Sequence, residues 1–220
     1  MTSVSTARQK KYRISPRQIT ALKVVIHLVS LFFFVLLIFQ TFKGQLGADP
    51  VQGLSHFTGK AALNTLFITL LISPLAQWWK QGSLVKVRRL LGLYSFFWAV
   101  LHLLVYVLLD LNMDWALLAS EIAERPYLTV GAVCWLILLA LAMTSTQSMQ
   151  RRLGKRWQQL HYWVYLAVLL APVHYFWSVK SGVVEPLLYI AGAIVLLSFR
   201  KKTFKRWIPK FHQQTPSEER

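Results

Sequence analysis

Cysteine is nearly absent: Cys134 stands alone in 220 residues. No disulfide can close within the chain. Neither a Cys-x-x-Cys-His haem attachment nor an iron–sulfur cysteine cluster can be built. Cys134 itself lies in an apolar run and reads as a small packing residue. A redox metal group would therefore have to be held by histidines. Acidic residues are also few, eight Asp and Glu against 25 Lys and Arg, for a net charge of +17. None of the eight lies deep in an apolar run, which speaks against a proton-coupled transporter. Gly44, Gly47, Gly53 and Gly59 do not form a phosphate-binding fingerprint. No Ser/His/Asp arrangement appears, and the polar gaps are too short for a nucleotide-binding domain. Electrons from a nicotinamide would have to be delivered by another protein.

What is abundant is apolar sequence, at 55% of residues and a mean hydropathy of +0.43. It gathers in long blocks, the pattern of a chain whose solvent is a bilayer. Six blocks qualify or nearly qualify as spans: Ile19–Phe42, Ala61–Trp79, Leu90–Leu111, Tyr127–Thr144, Leu160–Val179 and Pro186–Phe199. The last is the shortest and needs Val183 to Glu185 to approach the ~20 residues of a full crossing. The basic start followed by Ile19–Phe42 imitates a signal peptide. The run far exceeds an h-region of roughly 7–15 residues and no small-x-small site follows it, so it reads as a retained first helix. Pro126 and Pro186 stand at helix starts. Pro74 and Pro172 fall inside blocks and should kink them. No internal repeat is visible. The expected organisation is a basic stretch at 1–18, an all-α six-helix membrane bundle at 19–199, and a second basic stretch at 200–220.

Charge placement gives the orientation. All but four of the 25 basic residues (Lys43, Lys60, Arg125, Lys180) fall before or in the first turn of the first block (Lys23), in the second and fourth gaps, or after the sixth block. Asp49, Asp110, Asp114, Glu121, Glu124 and Glu185 share the opposite side. The positive-inside rule then puts both termini in the cytoplasm. Five spans would send the basic C-terminal stretch outward, so the rule also supports the sixth. Trp78, Trp79, Tyr127, Trp177 and Trp207 lie near block ends, as interfacial anchors do.

Histidines at membrane depth carry the functional signal, since ionisable groups there are expensive. His102 lies roughly 18 Å along the third block and His174 roughly 21 Å along the fifth, at 1.5 Å per residue. Both blocks run outward, so two imidazoles meet the bilayer at one depth in parallel helices. That spacing suits axial ligation of one haem iron between facing helices. Phe97, Trp98, Tyr106, Tyr175 and Phe176 would supply an aromatic wall. The plainer alternative is an interhelical hydrogen bond from each histidine. His161 lies roughly 20 Å below His174 on the same block, near the cytoplasmic surface. It suits a ligand of a second, inner haem, but Arg89 occupies the equivalent place before His102, and His27 sits at the wrong depth to substitute. His161 could instead bind a haem propionate or a quinone. His27 reads as a packed helix residue, His56 as an outer-gap residue beside the candidate caps Ser55 and Thr58, and His212 as a solvated tail residue.

Several segments taken together carry a family resemblance: Leu46-Gly47-Ala48-Asp49-Pro50, His56-Phe57-Thr58-Gly59-Lys60, Arg88-Arg89-Leu90-Leu91-Gly92-Leu93, the stretch from Thr144-Ser145-Thr146-Gln147 through Leu160-His161, and Ala171-Pro172-Val173-His174-Tyr175. From Gln18 to about Arg200 the chain resembles the MsrQ (YedZ) family of bacterial inner-membrane haem-binding subunits. That family belongs with the ferric-reductase and NADPH-oxidase type transmembrane domains, which typically carry two histidines on each of two helices. Arg89 departs from that pattern and leaves the haem count open. The resemblance implies an electron-transfer subunit carrying haem b, with FMN also associated. Electrons would come from the quinone pool or a cytoplasmic flavin reductase. They would pass to a periplasmic molybdopterin partner, MsrP, which repairs oxidised methionine in proteins and holds the catalytic site. Two rival classes are a small transporter or channel and a non-redox membrane scaffold. Both would be colourless proteins.

Overall fold

The computed structural model describes residues 14–179 and 182–200, and every regular element among them is helical. The chain divides into two compact units, Met1–Met113 and Asp114–Arg220. The stretches expected to be tails, and His212 and Trp207 with them, lie largely or wholly outside the described residues.

The first unit holds α1 (Pro16–Phe42), α2 (Pro50–Trp78) and α3 (Arg88–Val105). A 3₁₀ segment, Gly82–Val87, leads into α3, and one π turn, Tyr106–Asp110, extends it. Helix starts follow local chemistry. Ser15 forms a capping box with Gln18 ahead of Pro16, and the Asp49 carboxylate accepts from the Gln52 amide ahead of Pro50. In each case the side chain satisfies an amide with no partner in the helix, and proline takes the position where no N–H is needed. Helices α2 and α3 pack as an antiparallel hairpin. At its closed end Ile19, Ala76, Leu84, Val87 and Leu91 form a buried cluster that joins the start of α1 to the hairpin. The Ile14 amide donates to Gln81 Oε1 at 3.0 Å in the same region. Further along, α1 exposes Leu28, Leu31, Phe32 and Phe39, each by more than half, as a helix facing lipid does.

The second unit holds α4 (Trp115–Glu124), α5 (Pro126–Met143), α6 (Gln147–Leu153), α7 (Lys155–His161), α8 (Val164–Ser178) and α9 (Val184–Ser198). Helix α8 packs between α5 and α9. Tyr175 ties α8 to α9 by donating to Glu185 at 3.0 Å.

Four helical segments are long and apolar enough to cross a membrane: Pro16–Phe42, Pro50–Trp78, Gly82–Asp110 and Pro126–Met143. They correspond to the first four blocks. The fifth and sixth blocks give α8 and α9, at 15 residues each, short of the ~20 a perpendicular span needs. Two expectations are corrected, and one helix is new. Helix α2 begins at Pro50, so His56, Ser55 and Thr58 lie inside a helix, and Asp49 is the cap. The polar residues Gln52, Ser55, His56, Thr58 and Lys60 had masked two turns of helix in the hydropathy pattern. The third gap contains a helix, α4. The fifth block is not one α-helix: around Tyr162 and Trp163 the backbone bonds are spaced by three, with Tyr162 N to Gln159 O at 3.2 Å and Trp163 N to Leu160 O at 3.1 Å. This tighter 3₁₀ winding separates His161 from the helix that carries His174. Pro74 and Pro172 lie inside α2 and α8 as expected.

Candidate functional site

His102 projects from α3 onto α2, where its Nδ1 lies 2.9 Å from the Ser55 carbonyl oxygen. The hydroxyls of Ser55 and Thr58 stand at 3.4 and 3.5 Å from the same nitrogen. A carbonyl can only accept, so Nδ1 carries the proton and the ring's lone pair sits on Nε2. The imidazole can lie this close to α2 because residue 59 is glycine. A Cβ there would stand 3.2 Å from both Cε1 and Nδ1 of His102.

His174 repeats the arrangement in the second unit. It projects from α8 onto α5, and its Nδ1 donates to the Tyr127 carbonyl at 2.7 Å. Its ring lies over Gly131, where a Cβ would meet Cε1 and Nδ1 at 2.8 Å. The Tyr127 ring adds a stacked neighbour with centroids 6.2 Å apart. Carbonyl, glycine one turn later and histidine have the same spacing in both units, and corresponding positions are 72 residues apart. The same offset relates a second pair of close contacts. Ser95 Oγ donates to the Ala62 carbonyl at 3.0 Å, and Cys134 Sγ approaches the Ala167 carbonyl at 3.5 Å. Position 62 corresponds to 134 and position 95 to 167, so one helix-crossing point is used twice. The expectation of no internal repeat is therefore corrected. Only a few residue identities are shared at this offset.

His161 has a different setting. Its Nε2 lies 3.2 Å from the Thr144 hydroxyl, which donates its own proton to the Ala140 carbonyl at 2.7 Å. His161 Nε2 is then the donor, the tautomer opposite to that of His102 and His174. Its ring stacks on Trp157 at 4.0 Å, and Trp157 donates to the Thr144 carbonyl at 2.9 Å. Arg89 occupies the position 72 residues before His161 and is exposed. His27 bonds through Nδ1 to the Tyr94 hydroxyl, and His56 is exposed on α2. Of the proposed aromatic wall, Trp98 is buried among Phe34, Phe57 and Phe97, while Tyr175 packs against Tyr189.

No group of three or more His, Cys, Asp or Glu side chains is placed to hold a metal ion among the described residues. The donor set suits a prosthetic group whose own ring supplies the equatorial ligands and which asks the protein only for axial imidazoles. His102 and His174, each in its own unit, present an Nε2 lone pair, the form in which an imidazole can bind iron. Ligating histidines almost always donate their second ring nitrogen to a carbonyl or carboxylate, which fixes tautomer and orientation. Sequence reasoning singled out the three histidines but missed Gly59, Gly131 and the carbonyls of Ser55 and Tyr127. The available signal was a glycine inside an apolar helix, where it costs roughly 1 kcal/mol relative to alanine and so asks for a packing reason.

Residues 58–172, more than half of the chain, match the family described as the ferric reductase like transmembrane component. Two curated relatives carry the name protein-methionine-sulfoxide reductase heme-binding subunit MsrQ. The one from Pectobacterium carotovorum subsp. carotovorum (strain PC1) is 51% identical over 196 residues, covering 89% of this chain and 98% of the relative. The one from Klebsiella pneumoniae (strain 342) is 52% identical over the same length and coverage. No solved structure matches the chain. The chain belongs to the ferric-reductase-like transmembrane family and, within it, to the MsrQ family. It is an integral, multi-pass membrane protein.

Proposed function

We propose that this chain is the haem b subunit of a bacterial methionine-sulfoxide repair system, with His102 and His174 as haem-iron ligands. The observation that carries the reading is the duplicated cradle: two histidines 72 positions apart, each with Nδ1 on a helix carbonyl and its ring over a glycine. Such a pairing gives each imidazole the tautomer a ligand needs. The matched depth read from the sequence is the reason for assigning both to one haem. Bound there, haem supplies a one-electron centre inside the bilayer. The chain's own residues orient the two rings and hold a proton on each Nδ1, and the apolar helices around them keep water out.

In this reading six spans (α1, α2, α3 with its extension, α5, α7 with α8, and α9) put both termini in the cytoplasm of an inner-membrane protein. The placement of 21 basic residues on one side, all but the four named above, supports that orientation. Electrons enter from the quinone pool or a cytoplasmic flavin reductase and leave outward to a periplasmic molybdopterin reductase, MsrP, which acts on oxidised methionine. The names of the relatives support the repair system.

His161 enters as the ligand of an inner haem, a role its Nε2 can take only by releasing Thr144. His161→Ala should then lower the haem-to-protein ratio to about half while leaving the low-spin signal of the other site, since ligand loss acts on its own centre. The pyridine haemochrome assay measures that ratio. An absorption spectrum of the pure protein, oxidised and dithionite-reduced, tests the function class. A Soret band that shifts on reduction is expected. A colourless protein that carries solute flux in liposomes, or only binds a partner, would replace this reading with the transporter or the scaffold.

A further inference from the structure

The two glycines under the histidine rings have no counterpart in the cap or turn chemistry of the chain. Both sit within α-helices, Gly59 in α2 and Gly131 in α5. Neither has the positive φ that would call for glycine. What each does meet is an imidazole. The first heavy atoms a Cβ would encounter at Gly59 belong to His102, and those at Gly131 belong to His174. By contrast Gly92, on α3, would place a Cβ 3.8 Å from Thr69 Cγ2, an ordinary contact.

We propose that Gly59 and Gly131 are positioning residues for haem, acting through His102 and His174; this rests on the ligand reading above. Each removes the side chain that would push the imidazole off its helix. The ring can then drop to hydrogen-bond distance of the carbonyl one turn earlier, Ser55 or Tyr127. That bond in turn sets the plane of the ring and places its lone pair on Nε2. The two halves are not equally tight. At 2.8 Å a Cβ on residue 131 cannot coexist with the present ring position, whereas at 3.2 Å a Cβ on residue 59 requires a shift of a few tenths of an ångström. His102 also has the Ser55 and Thr58 hydroxyls beside Nδ1, which give a displaced ring other oxygens to bond. Gly131 is thus the stricter position.

The test compares Gly131→Ala, Gly59→Ala and Gly92→Ala in the full-length protein in lipid nanodiscs. Haem affinity is read by titration, ligation by electron paramagnetic resonance, and midpoint potential by redox titration. Gly131→Ala is expected to weaken haem retention about 10-fold, the low end of what outer-shell changes give, and to alter the low-spin signal. Gly59→Ala should give a smaller loss with a shifted midpoint potential. Gly92→Ala should change none of the three. Imidazole rescue separates positioning from damage to the fold. Added imidazole is not tethered to α8, so it should restore haem to His174→Gly and to the His174→Gly, Gly131→Ala double variant alike. Rescue of the single but not the double variant would show that alanine at 131 harms the helix packing itself, and would overturn the proposal. So would a Gly131→Ala protein with wild-type affinity, signal and potential. If His174→Gly kept its haem ligation without imidazole, the ligand reading beneath the proposal would fall first.

Discussion

His174→Ala and His102→Ala are each expected to empty the haem site while leaving the helices assembled. The first half of that expectation follows from the ligand role. Outer-shell substitutions cost roughly 10–100-fold in metal affinity, and removing the ligand itself should exceed that. The second half follows from what the rings bond to. Ser55 and Tyr127 offer carbonyls that lie within helices α2 and α5 and therefore also serve the helix ladder. Deleting the imidazole leaves neither carbonyl an orphan, so the stability loss should be near the ordinary ~1 kcal/mol of one hydrogen bond. Both variants should purify as monodisperse, helical proteins that have lost the low-spin haem and keep only the inner haem assigned to His161. Haem-to-protein ratio, far-ultraviolet circular dichroism and size-exclusion chromatography check these outcomes together. Full haem content with unchanged redox spectra in both variants would remove these histidines from the site.

Trp98→Ala should do the reverse, costing stability while the ligands stay in place. Trp98 is 2% exposed. Its ring lies 6.4, 6.1 and 5.5 Å from those of Phe34 on α1, Phe57 on α2 and Phe97 on α3. It is therefore one of the side chains through which α1 meets the α2–α3 hairpin, beside the Phe34–Phe97 and His27–Tyr94 contacts. Removing it opens a cavity that helix backbones cannot close. Truncating a buried Phe or Trp to Ala costs about 3–5 kcal/mol in soluble cores. Part of that is transfer from water, a term largely absent for helices already in lipid, where packing drives association. A loss on the order of 3 kcal/mol, at the bottom of that range, is the expected value. It should appear as a lower thermal midpoint in detergent. Haem bound at low temperature should keep its spectrum, because His102 is held by α2 rather than by Trp98.

Much of this organisation was legible in the sequence, and the rest failed for physical reasons. The first four apolar blocks became four long helices because ~20 apolar residues admit little else in a bilayer. Capping residues were readable too: Asp49-Pro50 announces the true start of α2. Hydropathy overrode that signal, since Ser55, His56, Thr58 and Lys60 look like a loop when only apolar density is weighed. The break between His161 and α8 was invisible, because Tyr162 and Trp163 are compatible with either α or 3₁₀ winding and the difference lies in carbonyl pairing. The histidines stood out because ionisable groups are rare at membrane depth. Their cradles did not, for two reasons. A backbone carbonyl has no sequence signature, and a glycine becomes meaningful only when the ring above it is seen. The 72-residue repeat stayed hidden for a related cause. It keeps the glycine, the histidine and a few apolar residues such as Leu66/Leu138 and Ala99/Ala171, while most other positions differ, the crossing points at Ala62 and Ser95 included.

The most direct test of histidine-ligated haem is low-temperature electron paramagnetic resonance of the ferric protein, purified with its lipid from haem-replete cells. Two imidazoles on one iron predict a low-spin signal that disappears in either alanine variant. A preparation with only high-spin iron, or with no haem signal even after haem is added, would contradict the account.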